Sequence, residues 1–311
     1  MKPYAGKIVV SGIVASILLP LLLYLEFQHG FYQTFRFEQQ AERYLAAAYD
    51  EEMTIAAVRY AWDNIEPLVA TAHPTSDPSL RFYLFPAKDR DSGVADDYAP
   101  TLWKKQATKE VETLLQPVQQ EYASNASVEF SCCKVGEYDF ASIRGQIPHY
   151  GTTGIPFDLV VDLKRPMAEA DLNAMYRAVA ALRESASLVL DNLAFRFTSP
   201  KTGSIVSFQI PGDGLHAIAS PGDVESYNAT RLPAQDIAKR IGASLQWNEE
   251  TNEADFIRDG TTLTVRSWGN EAMLNGTPIH DPVGAYIGDA MELMVPLRLI
   301  ERTFKEKIAL W

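Results

Sequence analysis

An uncharged apolar run near the N-terminus, Ile8 to Leu25, limits this chain more than any other feature. Twelve of its 18 residues are Ile, Leu or Val, and at about 1.5 Å per helical residue the run spans roughly 27 Å, just enough for a hydrocarbon core. The apolar side chains fall on every face of the helix, which excludes a half-exposed surface helix. No small-x-small cleavage site follows, since Glu26-Phe-Gln-His-Gly-Phe-Tyr-Gln is bulky at nearly every place. An uncleaved anchor over 8–27 is therefore expected, with cleavage as the alternative. Lys2 and Lys7 precede the run, and Arg36 is the first cation beyond it. The positive-inside rule then leaves residues 1–7 as a cytoplasmic tail and the bulk of the chain outside.

Composition narrows the partners. The 311 residues carry 28 Lys and Arg against 40 Asp and Glu, a net charge of −12. No basic stripe is present, so a nucleic-acid partner is not expected. The length leaves room for about two domains.

Residues 28–74 read as two juxtamembrane helices meeting near Asp50. The seam is Phe37, Ala41, Tyr44, Ala48, then Ile55, Val58, Trp62, Ile65 and Val69. Homo-oligomerisation through that seam is one alternative; a domain's own core face is the other. Residues 75–210 read as an α+β domain, with strands near 81–85, 128–135, 157–163, 194–198 and 204–210. Its helices are expected over 100–122 and 168–190, and a largely antiparallel sheet is expected to carry them on one face. Pro211-Gly-Asp-Gly and Ser220-Pro-Gly-Asp mark 211–225 as a linker.

Beyond the linker the sequence repeats itself. Leu232-Pro-Ala-Gln-Asp-Ile-Ala-Lys-Arg-Ile-Gly-Ala-Ser-Leu-Gln-Trp247 returns as Val295-Pro-Leu-Arg-Leu-Ile-Glu-Arg-Thr-Phe-Lys-Glu-Lys-Ile-Ala-Leu-Trp311. Each copy begins aliphatic-Pro, continues as an amphipathic helix and ends in a strand closed by Trp. Between the copies Asp259-Gly260 marks a hairpin and Asn275-Gly276 another strand and turn.

Leu232-Pro233, Ile241-Gly242-Ala243, Trp247-Asn-Glu-Glu-Thr, Asp259-Gly260, Leu274-Asn-Gly276 and Met294-Val-Pro-Leu-Arg298 together make residues 226–311 similar to one family. It is the copper amine oxidase N-terminal domain, or stalk domain, which is common in surface proteins of Gram-positive bacteria. The resemblance implies a small α+β stalk-like domain whose structural motif is Pro233, Gly242, Trp247, Gly260, Gly276, Pro296 and Trp311. Thr303-Phe-Lys-Glu departs from it, standing where a helix-ending Leu-Gly is expected. The family's metal and quinone belong to a separate catalytic domain. A copper site also needs converging imidazoles, whereas His29, His73, His149, His216 and His280 are scattered singly. No cofactor or metal is expected.

Cys132 and Cys133 are adjacent. Neighbouring Cα atoms about 3.8 Å apart lie below the usual disulfide range, so burial as small apolar residues is expected, with an intermolecular or redox-labile bridge as the alternative. Asp158 and Asp162 share one face of a strand and read as a solvated face. No hydrolase, zincin, P-loop or dinucleotide motif occurs. The sequence thus points to a non-enzymatic, membrane-anchored surface protein, a binding, spacing or wall-associated module with a cell-wall or protein partner. The alternative is an extracytoplasmic enzyme of unrecognised type in residues 75–210, with the stalk-like domain as accessory.

Overall fold

The computed structural model describes residues 26–61, 67–88, 92–130, 145–200, 205–288 and 291–308, together with Pro20 and Tyr24. The expected spanning segment thus lies almost wholly outside the described residues, as do Cys132, Cys133 and Trp311. Among the described residues no helix is long and apolar enough to cross a membrane.

The chain divides into two compact units, 1–106 with 132–153, and 107–131 with 154–311. In the first, helix α1 (Phe31–Ala48) buries Phe37, Ala41 and Leu45. It packs beside an antiparallel meander of β1 (Met53–Tyr60), β2 (Leu68–Pro74), β3 (Phe82–Pro86) and β4 (Val94–Asp96). Their shared core holds Ala70, Ala72, Phe82, Leu84, Val94 and Tyr98. Among the described residues, only the first of the two helices expected over 28–74 is therefore found. Of the expected seam, Ile55 and Val58 lie instead on β1 and Val69 on β2, with Arg59 opposite Val69; Trp62 and Ile65 lie outside the described residues. The cause of the helix-like spacing is a bulge. Ile55 faces Ala72 and Ala57 faces Thr71, so Ala56 is an extra residue. Inward positions then fall at Met53, Ile55, Val58 and Tyr60, and the three-residue step from 55 to 58 imitates a helical one.

Gly30 sets the entry to α1. Its φ of 56° ends the preceding turn at 26–29, and a Cβ there would lie 2.5 Å from Tyr60 Cγ. Glu26 caps the new helix, its carboxylate accepting from Tyr32 and Gln33 backbone N–H groups at 3.0 and 3.2 Å.

The second unit holds a four-stranded sheet and the C-terminal module. The boundary between the units falls within helix α2 (Tyr98–Leu115). The sheet runs β5 (Ala126–Phe130), β6 (Phe157–Leu163), β7 (Leu190–Thr198), β8 (Ile205–Pro211). The β6–β7 pair is parallel, because α4 (Ala170–Arg183) connects them; the flanking pairs are antiparallel. A short helix α3 (Gln120–Ser124) precedes β5. One face is apolar throughout, with Phe157, Leu159, Val161, Leu163, Phe195, Phe197, Val206, Phe208 and Ile210 buried. Helix α4 is shorter than the expected 168–190. It stops at Arg183, and the Ser185 hydroxyl donates to Glu110 at 2.9 Å.

Two expected boundaries change. The single α+β domain over 75–210 is divided between the two units, since β1–β4 and β5–β8 are separate sheets. The stretch 211–225 is folded rather than a linker. It forms a 3₁₀ turn (Gly212–Ala217) and helix α5 (Pro221–Glu225), and it buries Leu215, Ile218 and Val224. A Cβ on Gly212 would meet the Leu190 carbonyl oxygen at 1.8 Å. Beyond α5 the backbone pairs against β8, where Ala229 N–H donates to Ser207 O at 2.7 Å and Gln209 N–H to Tyr227 O at 3.0 Å.

Candidate functional site

In the C-terminal module the two sequence copies become one repeated device. Copy one is β9 (Arg231–Pro233) followed by α6 (Ala234–Ile241); copy two is β15 (Leu293–Pro296) followed by α7 (Leu297–Phe304). Pro233 and Pro296 take φ of −55° and −59° immediately before their helices, the fixed geometry that makes proline a helix starter. Gly242 ends α6 with φ 65°, and Lys305 ends α7 with φ 55°. The departure from Leu-Gly thus leaves the helix end where glycine would put it, with a lysine held in the left-handed conformation. Strands β9 and β15 pair antiparallel, with Leu232 opposite Val295.

Between the copies runs an antiparallel meander of β10 (Ser244–Asn248), β11 (Glu253–Arg258), β12 (Thr261–Arg266), β13 (Gly269–Leu274) and β14 (Thr277–Ile287). Asp259-Gly260 (φ 49° and 75°) and Asn275-Gly276 (φ 50° and 79°) make its two-residue turns with positive φ at both positions, the hairpin type whose twist suits paired strands. The core of the module includes Ile237, Phe256, Leu263, Val295 and Ile300. Of the expected motif residues, Pro233, Gly242, Gly260, Gly276 and Pro296 thus hold turns and helix ends. Trp247 instead lies exposed on β10, opposite Ala254.

A second set of residues escapes sequence reading because it assembles only where β14 bends at Gly284 (φ 65°). Asp281, with a nearly inaccessible side chain, accepts from Arg298 Nε at 3.2 Å and from Val283 N–H at 3.0 Å. Arg298 also donates to the Ser226 carbonyl. Arg231 donates to the carbonyls of Gly284 (2.9 Å) and Val283, and stands 5.2 Å from the centroid of the Tyr286 ring. Burial holds the Arg231 guanidinium below its ordinary pKa, with Tyr286 and Asp281 acting in the opposite sense. Trp268 lies 6.4 Å from Tyr286 between ring centroids at 51°. It is 73% exposed and has φ 62°.

Two further titratable clusters among the described residues are held by internal hydrogen bonds. Asp171 accepts from Arg165 at 2.7 and 2.8 Å, from Ala168 N–H at 2.7 Å and from Tyr122 at 3.1 Å. Burial pushes the Asp171 carboxyl up. The donors from Arg165, Ala168 and Tyr122 together outweigh it and hold the group below the usual carboxylate range. Burial raises the Tyr122 hydroxyl well above its ordinary value, with Asp171 adding to the effect. Asp96 accepts from Tyr44, from the Tyr49 hydroxyl at 2.8 Å and from Tyr98 N–H at 2.8 Å. Burial first, then Asp96 itself, drives the Tyr49 hydroxyl far up. Carboxylates engaged in this way hold backbone and side chains in place. Asp158 and Asp162 are both half-buried on the less covered face of β6; burial and then Asp191 raise the Asp158 carboxyl. Among the described residues no three His, Cys, Asp or Glu side chains form a group able to hold a metal. His73 Nδ1 lies 2.9 Å from the Pro74 carbonyl, and His149 Nδ1 accepts from Gly151 N–H at 3.3 Å.

Comparison with known proteins bears on the same stretch. Residues 223–310 match the family model of the copper amine oxidase N-terminal domain. No curated protein matches the chain. One similar solved structure is a DUF5037 family protein from Ruminococcus gnavus ATCC 29149, at 12% identity over 51% of this chain and 73% of that one, with a TM-score of 0.27. A likeness that loose carries no argument about this chain.

Proposed function

We propose that this chain is a non-enzymatic surface protein, anchored by residues 8–27 with its N-terminus cytoplasmic, whose outer part binds or spaces a cell-wall or protein partner. The observation that carries the reading is a row of exposed aromatics at the end of the apolar run and just beyond it. Tyr24, Phe27, Phe31, Tyr32 and Phe35 are each more than half exposed. Five such rings within twelve residues are costly in water. Aromatic rings are at home at the depth of the headgroups, where one end is apolar and the other wet.

The match over residues 223–310 supports the outward placement, because that module resembles one of bacterial surface proteins. The internal hydrogen bonding of Asp96 and Asp171 supports a structural rather than a catalytic role for these two carboxylates. Fractionation of intact cells tests the reading. The full chain should remain with alkali-washed membranes, and external protease should remove residues beyond about 30. Recovery in the soluble fraction, or protection from external protease, would overturn it. Retention of the chain on a wall fraction then separates binding from spacing.

A further inference from the structure

We propose that Trp268 and Tyr286 form a stacking platform for a neutral pyranose ring of a glycan chain. Three local costs coincide at residues 267–268. Trp268 is a bulky residue in the left-handed region, a conformation that L side chains other than Asn and Asp seldom adopt. Its indole is 73% exposed. The preceding Ser267 carries a buried hydroxyl without a hydrogen-bond partner among the described residues. Such concentrated violations of local preference are expected where a side chain is held for a ligand.

The backbone is pinned in this position. Trp268 N–H donates to Ala285 O at 3.0 Å and Ser267 N–H to Asn252 O at 3.0 Å. The two rings, tilted at 51°, present an angled surface on this pinned backbone. Beside them stand two planar polar side chains. Arg231 lies against Tyr286. The Asn270 amide occupies the space over Gly284, where its Oδ1 would stand 2.4 Å from an added Cβ.

Size and charge select the occupant. A stable protein partner needs roughly 800 Å² on each side, whereas here two rings stand beside the exposed Asn270. The net charge of −12 disfavours phosphate polymers and anionic lipid. A sugar ring matches the footprint: its C–H face lies on an indole, and its edge hydroxyls reach amide and guanidinium groups.

The proposal draws on the surface reading above only for where such a glycan is met, and it is tested in solution on the full chain in detergent. Titration with cellohexaose and chitohexaose, followed by calorimetry, should show binding of at least one. Trp268→Asn should weaken it by about tenfold or more, the loss of one stacked ring. The same substitution should leave the melting temperature unchanged or higher, because asparagine accepts the left-handed backbone. Trp247→Ala should bind as the parent does. Absence of binding by both hexasaccharides, or equal binding by Trp268→Asn, would overturn the platform whatever the fractionation result. Saccharide binding with a chain found in the soluble fraction would leave the platform standing and remove the anchor.

Discussion

Leu232 and Val295 lie directly opposite each other on the β9–β15 ladder, and they are the same position in the two copies of the repeated pattern. The same offset of 63 residues separates Pro233 from Pro296 and Gly242 from Lys305. Each copy thus closes the other, and neither strand buries its apolar side alone.

The two helix ends are equivalent in backbone and unequal in cost. Lysine in the left-handed region is strained by about 1 kcal/mol, which glycine avoids. Lys305→Gly should therefore raise stability toward urea by about 1 kcal/mol, and Gly242→Ala should lower it by a similar amount. Equilibrium unfolding followed by circular dichroism compares the three chains.

Gly30 and Tyr60 predict a coupled pair. Gly30→Ala adds a Cβ 2.5 Å from Tyr60 Cγ and places alanine at a φ of 56°. The cost should be about 2–4 kcal/mol, from overpacking and backbone strain together. In a double-mutant cycle Tyr60→Ala should return the overpacking part and leave the backbone part.

The bulge at Ala56 shows what the sequence could and could not disclose. Proline, glycine and Asn-Gly or Asp-Gly signals made the C-terminal module legible, because its turns need particular backbone angles and few residues supply them. The strands of β6, β7 and β8 were legible from their apolar runs. The β1–β2 hairpin was not, since one extra residue shifted the parity of Ile55 and Val58 and gave a helix-like spacing. Its Thr54, Ile55, Val58, Val69 and Thr71 are β-branched residues that favour strands, and they were the available corrective. The Trp268–Tyr286 pair is separated by 18 positions and meets only through the bend at Gly284, a relation that no local pattern encodes.

Asp171 and Arg165 should make stability fall in acid. The Asp171 carboxyl is held below its unfolded value in the folded chain. Its contribution is therefore present above pH about 4 and lost as pH drops through the lower folded value. Arg165→Met leaves Asp171 buried with fewer donors and should cost on the order of 3 kcal/mol at neutral pH. It should also flatten the acid dependence between pH about 5 and 2, measured by urea unfolding across that range.

Gly212 distinguishes a folded connection from a loose one. A Cβ at 1.8 Å from the Leu190 carbonyl oxygen cannot be accommodated without moving β7 or the 3₁₀ turn. Gly212→Ala should destabilise the second unit by about 1–3 kcal/mol, read as earlier loss of amide-exchange protection over 190–211. Gly222→Ala, whose nearest contact is Ser220 Oγ at 3.6 Å, should have little effect.

The antiparallel pairing of β9 with β15 also fixes how the module answers a pulling force. Arg231 and Pro296 sit opposite each other at one end of that ladder. Tension applied between residues 230 and 297 therefore enters both strands at the same end. The load falls on the outermost backbone bond first and passes inward bond by bond, as a zipper opens. It is not shared along the strands as in shear. A tethered chain would yield here at low force, and because the two copies pair by equivalent positions, it would re-form by simple closure when slack returned.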